Sequence, residues 1–183
     1  MSDDYALTTE RLTLTTPVLA DFEDSAALWG DPEVVRYIGG KPISRTDAWV
    51  RMQRQAGTWV LFGYGGWTVR ERGTGRFVGE IGFGNYRREI TPSFDDVPEA
   101  GWVLAPWAHG QGFASEAVAA AHAWGDTRFV GARTVCMIDP RNDPSLRVAA
   151  RAGYVEFART QYRDDEVVLL ERPLPARAAA RSV

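Results

Sequence analysis

The sequence is poor in the side chains that disulfide-rich and metal-binding proteins depend on. It contains one cysteine, Cys136, and two histidines, His109 and His122, among 183 residues. A single cysteine excludes an intrachain disulfide and points to a reducing, cytoplasmic setting. So few sulfur and imidazole ligands argue against a zinc centre, and no metal is expected. No apolar run reaches the roughly 18 residues of a membrane span. Met1-Ser2-Asp3-Asp4 lacks the basic-then-apolar start of a signal segment. Charge of one sign is also nearly missing, since 21 Lys and Arg against 24 Asp and Glu leave a net charge of −3. That is too little to hold nucleic acid by bulk charge. Neither a membrane nor a nucleic acid is an expected partner.

What is present is ordinary globular material, 45% hydrophobic and 11% aromatic, in a length that suits one domain with a sizeable core. Leu12 and Leu14 alternate with threonines over Thr8–Thr16, predicting a half-buried strand stopped by Pro17. Phe22, Ala26 and Trp29 predict a helix over Ala20–Trp29, with Gly30 and Pro32 as stops. A second helix is expected over Ser44–Gln55, ended by Gly57. Strands are then expected at Trp59–Phe62, Trp67–Arg70 and Phe77–Phe83, with hairpin turns at Gly63-Tyr64-Gly65-Gly66 and Arg72-Gly73-Thr74-Gly75. Asn85–Pro98 is polar and proline-containing, and a loop that long inside a compact domain is often functional. Next come a strand at Ala100–Leu104 and a helix at Ala114–Phe129 with an Ala117, Val118, Ala121, Trp124 stripe closed by Gly131. Arg133–Ile138 reads as a strand buried on both faces, Pro144–Ala152 as a short helix capped by Asp143 and ended by Gly153, and Val167–Leu170 as the last strand.

The sharpest feature is a strand, a glycine loop and a helix running from Ala100 to Trp124. The loop reads His109-Gly110-Gln111-Gly112-Phe113-Ala114. Glycines let backbone approach a ligand closely, and the free N–H groups at a helix start attract phosphate. The Gly-Lys-Ser/Thr of a nucleotide phosphate loop is missing, as is the third glycine of a dinucleotide fingerprint. Coenzyme A is the better fit, although glycine loops of this length also serve as plain turns.

A second block sharpens the reading: Asn142-Asp143-Pro144-Ser145, then Arg147-Val148-Ala149 and Arg151-Ala152-Gly153-Tyr154. Together with Thr9-Glu10-Arg11-Leu12-Thr13-Leu14, Glu99-Ala100-Gly101-Trp102 and Gly110-Gln111-Gly112-Phe113-Ala114-Ser115-Glu116-Ala117, it resembles the GNAT superfamily of N-acetyltransferases. The nearer likeness is to its RimJ/RimL-type ribosomal-protein branch. The motifs keep their order from about Thr8 to Arg172. His109 departs from the Arg, Gln or Trp common at its position, with little loss expected because backbone would bind the phosphate.

The resemblance implies a single-domain α/β fold, a mixed, mostly antiparallel central sheet flanked by helices, over residues 1–173, with 174–183 a disordered tail. It implies acetyl-CoA as co-substrate and an acetyl group moved to a primary amine by direct attack in a ternary complex. The acceptor would be a small-molecule amine or a protein N-terminus. Dimerisation, common in the family, is an expectation by analogy alone. The backbone of Trp102, Val103 and Leu104 would pair with the pantetheine arm and polarise the thioester carbonyl. His109, Gly110, Gln111, Gly112, Phe113 and Ala114 would take the pyrophosphate, and Asn142 would bond the arm from its other side.

Ser145 is a candidate to protonate or hydrogen-bond the departing thiolate, with helix capping as the alternative. Glu99 is the candidate general base, with an exposed strand-end acid as the alternative. Glu116 suits the first turn of its helix, where an acid complements the dipole. His122 reads as a core or surface histidine, and Cys136 as a small core residue. Of Trp29, Tyr37, Phe62, Tyr64, Trp67, Phe83 and Tyr86, most would be core or hairpin packing and a few would line the acceptor pocket. Asp95 and Asp96 would suit a cationic amine, with a solvated loop as the safer reading. The alternative to an enzyme is a non-catalytic acyl-CoA-binding or regulatory module on the same fold. An aminoglycoside-modifying enzyme would want a more acidic cleft.

Overall fold

The structure, a computed structural model, describes residues 5–129 and 133–174. Its strands are β1 (Leu7–Thr8), β2 (Leu12–Thr15), β3 (Gly66–Glu71), β4 (Phe77–Gly84), β5 (Glu99–Leu104), β6 (Arg133–Ile138), β7 (Val155–Tyr162) and β8 (Asp165–Pro173). They form one sheet in the order β1-β2-β3-β4-β5-β6-β8-β7. Every pairing is antiparallel except that of β5 with β6. The helices are α1 (Phe22–Gly30), α2 (Pro32–Val35), α3 (Arg45–Phe62), α4 (Phe113–Arg128) and α5 (Asp143–Arg151). The expected α/β class and mostly antiparallel sheet are found.

α4 packs its apolar stripe against the sheet, with Ala117, Val118, Ala121 and Trp124 all buried. Trp124 meets Trp67 of β3 and Trp59 of α3, with ring centroids 5.0 and 5.8 Å away. Burying such rings contributes about 1.5–3 kcal/mol each and fixes how α3 and α4 sit relative to the sheet.

Trp59 marks the first departure from expectation. Residues Trp59–Phe62 are the last turn of α3, which runs through Gly57 instead of ending there. Ser44 caps its start by accepting from the Asp47 N–H, and Gly63, at φ 69°, ends it. Burial of Trp59 on the aromatic cluster outweighs the cost of a mid-helix glycine, about 1 kcal/mol relative to alanine. The glycines at 63–66 therefore end a helix and make no hairpin. A Cβ at Gly65 would lie 2.5 Å from the Trp59 ring, so the space for that indole depends on glycine.

β7 went unforeseen because its charged, half-exposed residues (VEFARTQY) sit on an edge strand with only one partner. α2 was also unforeseen: Pro32 opens it, as proline does at a first helical position, under an Asp31 cap. The α5 cap is Asn142, whose side chain accepts from the Ser145 N–H, with Asp143 inside the helix. The Gly131 stop and the tail over 175–183 lie outside the described residues. No helix among the described residues is long and apolar enough to cross a membrane.

Candidate active site

The centre of the sheet is left unfinished. β5 and β6 share one parallel bridge, Glu99 with Val135, and pair no further. On its other side β5 is fully paired with β4, from Gly84–Glu99 to Gly79–Leu104. The Val135 N–H donates to Pro98 O and the Ala105 N–H to Val78 O. Because backbone groups alternate sides along a strand, those two bonds fix the phase. The main-chain groups of Trp102 and Leu104 open into the gap. Those of Val103 face β4, opposite Glu80.

The gap leads to the glycine loop. Gly110 and Gly112 hold φ of 74° and 80°, a left-handed conformation that side chains resist. Gly112 caps α4 with no side-chain bond, so the first N–H groups of the helix point outward unpaired. His109 Nε2 lies 3.1 Å from Leu104 O, which makes Nε2 the protonated ring nitrogen and ties the loop to the end of β5. Gln111 is tethered to Trp107 O at 2.6 Å. The loop side chains thus hold the loop itself, and its N–H groups are left for an anion.

The N-terminal Thr-Glu-Arg-Leu segment braces this loop. Glu116 accepts from Thr9 Oγ1 at 2.5 Å, the Arg11 N–H at 2.9 Å and Arg11 Nε at 2.7 Å. Arg11 also donates to Gln111 O at 2.9 Å and covers the Phe113 ring. Burial pushes the Glu116 carboxyl up, but the Thr9 and Arg11 bonds outweigh it and hold it below the usual carboxylate range. Glu116 serves here as an anchor as well as a dipole partner.

Across the gap, the first turn of α5 meets β5 through Ser145 and Trp102. The Ser145 hydroxyl accepts from Trp102 Nε1 at 3.3 Å, which leaves its own O–H free to donate. Since Asn142 caps α5, Ser145 is not engaged as the cap.

A cavity of about 550 Å³ continues from this point through the sheet toward α1 and α3. Trp102, Asn142 and Ser145 line it together with Trp29, Tyr37, Arg51, Arg54 and Tyr86. Glu99 lines it and is 6% exposed. Both its oxygens are engaged by Arg88, at 2.7 and 2.8 Å. Burial works against the Arg88 charge, but Glu99 and Tyr162 outweigh it and keep the guanidinium firmly protonated. A carboxylate oxygen has two acceptor positions, so each Glu99 oxygen retains one.

Glu80, also 6% exposed, was not singled out from the sequence. It accepts from Ser25 Oγ at 2.5 Å, Trp29 Nε1 at 3.0 Å and Gln55 Nε2 at 2.8 Å. The available signal was a lone acid in a strand (FVGEIGFG) whose other residues are all apolar or glycine.

The remaining candidates divide between cavity, core and surface. Trp29, Tyr37, Phe83 and Tyr86 line the cavity, but Trp67 is core, and Phe62 stacks on Tyr64 away from it. Asp96 is exposed and paired with Arg87 at 2.6 Å, and neither it nor Asp95 reaches the cavity. His122 is buried, its Nε2 2.8 Å from the Tyr154 hydroxyl. Burial raises the Cys136 thiol well above its ordinary range, with the Glu99 charge adding to the rise. Such a thiol is a poor nucleophile. Among the described residues no three His, Cys, Asp or Glu side chains gather as a metal site would need.

Residues 11–155 match the family model described as an acetyltransferase (GNAT) domain. An uncharacterized Bacillus subtilis protein, YkkB, is 30% identical over 159 residues, 84% of this chain and 87% of its own. A solved Bordetella pertussis structure, described as a GnaT-family acetyltransferase, is 32% identical with a TM-score of 0.81, over 91% of this chain and 98% of its own. At 16% identity the fold alone is shared with RimL, a ribosomal L7/L12 N-acetyltransferase solved with coenzyme A. Its TM-score is 0.70, over 92% of this chain and 97% of its own.

Proposed function

Because the chain belongs to the GNAT family of N-acetyltransferases, we propose that it moves an acetyl group from acetyl-CoA to a primary amine by direct attack in a ternary complex. The observation that carries this reading is the gap beside β5, which begins at a cavity and ends at the glycine loop of α4. A pantetheine arm laid in the gap completes the pairing that β6 does not supply, through Trp102 and Leu104. Val103 contributes packing, since its backbone is turned to β4. The pyrophosphate rests on the N–H groups from Gly110 to Ala114, with His109 and Gln111 holding the loop in shape. Asn142 sets the start of α5 against the arm. RimL, which shares the fold, was solved with coenzyme A, in keeping with this placement.

The chemistry divides among the groups around the thioester. The acceptor arrives as an ammonium and must lose a proton before its nitrogen can attack. Glu99 takes that proton, directly or through water, at the acceptor positions Arg88 leaves open. The neutral amine adds to the thioester carbon, and a β5 N–H stabilises the oxyanion, a contact of about 2.7–4 kcal/mol in other acyl transfers. Collapse breaks the C–S bond and forms the amide. The Ser145 hydroxyl hydrogen-bonds the departing sulfur and passes it a proton, and it recovers one from the adduct nitrogen, which sheds its second proton as the amide forms. A module that only bound acyl-CoA would have no use for a cavity and buried carboxylate beyond the thioester.

Calorimetric titration with acetyl-CoA, CoA and ATP tests the reading. Micromolar binding of the two coenzyme forms without ATP is expected. Failure of both to bind removes it.

A further inference from the structure

Arg51 is a cation with too few partners. Its side chain is 19% exposed, and its guanidinium lies 3.6 Å from the centroid of the Trp29 ring. Its one carboxylate contact among the described residues is to Glu80 at 3.5 Å, and its Nε is buried with no hydrogen-bond partner. A guanidinium carries five N–H donors, and leaving charged donors unmet in a buried setting is costly. Glu80 is already satisfied by Ser25, Trp29 and Gln55, so the shortage belongs to Arg51. One turn along α3, Arg54 lines the same cavity, is exposed, and has no acid within ion-pair distance among the described residues.

The acids of the cavity present the opposite picture. Glu99 is bound by Arg88 and Asp139 by Arg141, both through two oxygens. Asp165 is exposed at the rim, outside the interior, and has no ion pair among the described residues. No interior carboxylate is left to hold a second ammonium, which a polyamine or an aminoglycoside would bring. In the interior of the cavity the unmet charge is that of Arg51, which is positive.

We infer that the acceptor is an amine that also carries a carboxylate, of the amino-acid class. Its carboxylate sits on Arg51 and Arg54, and its amine points to the gap beside β5. Arg51 contacts Glu80, and Glu80 is the β4 partner of Val103, so the two ends of a short acceptor fall one strand apart. The Arg51 guanidinium lies against the Trp29 ring, and its side chain keeps 19% exposure where it lines the cavity, within reach of a carboxylate there. A guanidinium near the amine also favours the neutral, attacking form.

The inference rests on the acetyl-transfer reading, and its test separates the two. Thiol release is followed at saturating acetyl-CoA with the twenty L-amino acids, the amide of each one turned over, spermidine and kanamycin. Acids are expected to exceed their own amides at least about tenfold in kcat/KM, the loss expected of one charge-assisted contact. Arg54→Gln and Arg51→Gln should each lower the acids at least about tenfold in kcat/KM, chiefly through KM, and lower the amides by less, with coenzyme affinity unchanged. The acid-to-amide comparison needs no variant and stands if Arg51→Gln does not fold. Spermidine, kanamycin or amides turned over as well as the acids, or no acid turned over at all, overturns the acceptor class and leaves acetyl transfer standing. Absence of coenzyme binding overturns both.

Discussion

Glu99 enters the cavity with Arg88 across both oxygens, so its chemistry rests on the acceptor positions that remain. Glu99→Gln should bind acetyl-CoA as the parent does and lose about 10²–10⁴-fold in turnover near neutral pH, with partial recovery at high pH where the amine deprotonates unaided. A pH–rate profile equal to the parent's would remove Glu99 from the proton path. Gly112 is the other decisive residue, at φ 80° with the Arg11 guanidinium 3.4 Å from where a Cβ would sit. Gly112→Glu should abolish coenzyme binding by titration, since a carboxylate enters the phosphate site, while circular dichroism stays native. The left-handed strain of about 1–2 kcal/mol lies within the stability of a domain. At this scale glycine spacing and short motifs are enough to single out the loop at 110–112, Glu99, Asn142 and Ser145, and the structure gathers the last three around one cavity. Arg88, Glu80 and Arg51 stayed hidden because each matters through a partner distant in the chain, from Arg88–Glu99 to Arg51 stacked on Trp29.

The elements show the same division between what is local and what is spatial. α4 was legible because its stripe repeats along one face, and β5 because a proline and the glycine loop bound it. The end of α3 was misread since Gly57 and the apolar residues after it look like a turn and a strand. Only contact with Trp67 and Trp124 reveals why Trp59 belongs to a helix. A Cβ at Gly57 would meet nothing within 4 Å. Gly57→Ala should therefore stabilise the protein by about 0.5–1 kcal/mol in urea unfolding, and destabilisation would contradict a helical position 57. The clamp of the first strands on α4 makes a further test. Glu116→Gln should weaken coenzyme binding about tenfold without touching any group that contacts the thioester, because it loosens Arg11 and the loop Arg11 holds. Unchanged affinity would reduce the clamp to packing.

Taken as one body, the molecule couples its stability to pH through His122. Burial lowers the His122 pKa below the ordinary 6.5, with Val118 O opposing and the Arg172 charge adding to the fall. The unfolded chain binds the proton first, so stability is full above about pH 6.5 and declines as pH drops through the lowered value. The slope is at most about 1.4 kcal/mol per pH unit. It should disappear from urea titrations of His122→Gln, and a slope that persists would assign it to other groups. The sheet itself is joined at its middle by one parallel bridge. Coenzyme at 100 times its Kd should stabilise the fold by about 2.7 kcal/mol and raise Tm on the order of 5–10 °C. A shift with ATP instead would contradict the placement of the arm. That unfinished ladder also bears on how such a protein changes over generations. An arm read by main-chain atoms is recognised without reference to which side chains the strand carries. With the arm in the proposed place, coenzyme use is insulated from drift along β5, while side chains across the cavity are free to be rewritten for a new acceptor. A saturation scan of β5 and α3 would make the separation visible, as a flat row for the coenzyme and a varied one for the amine.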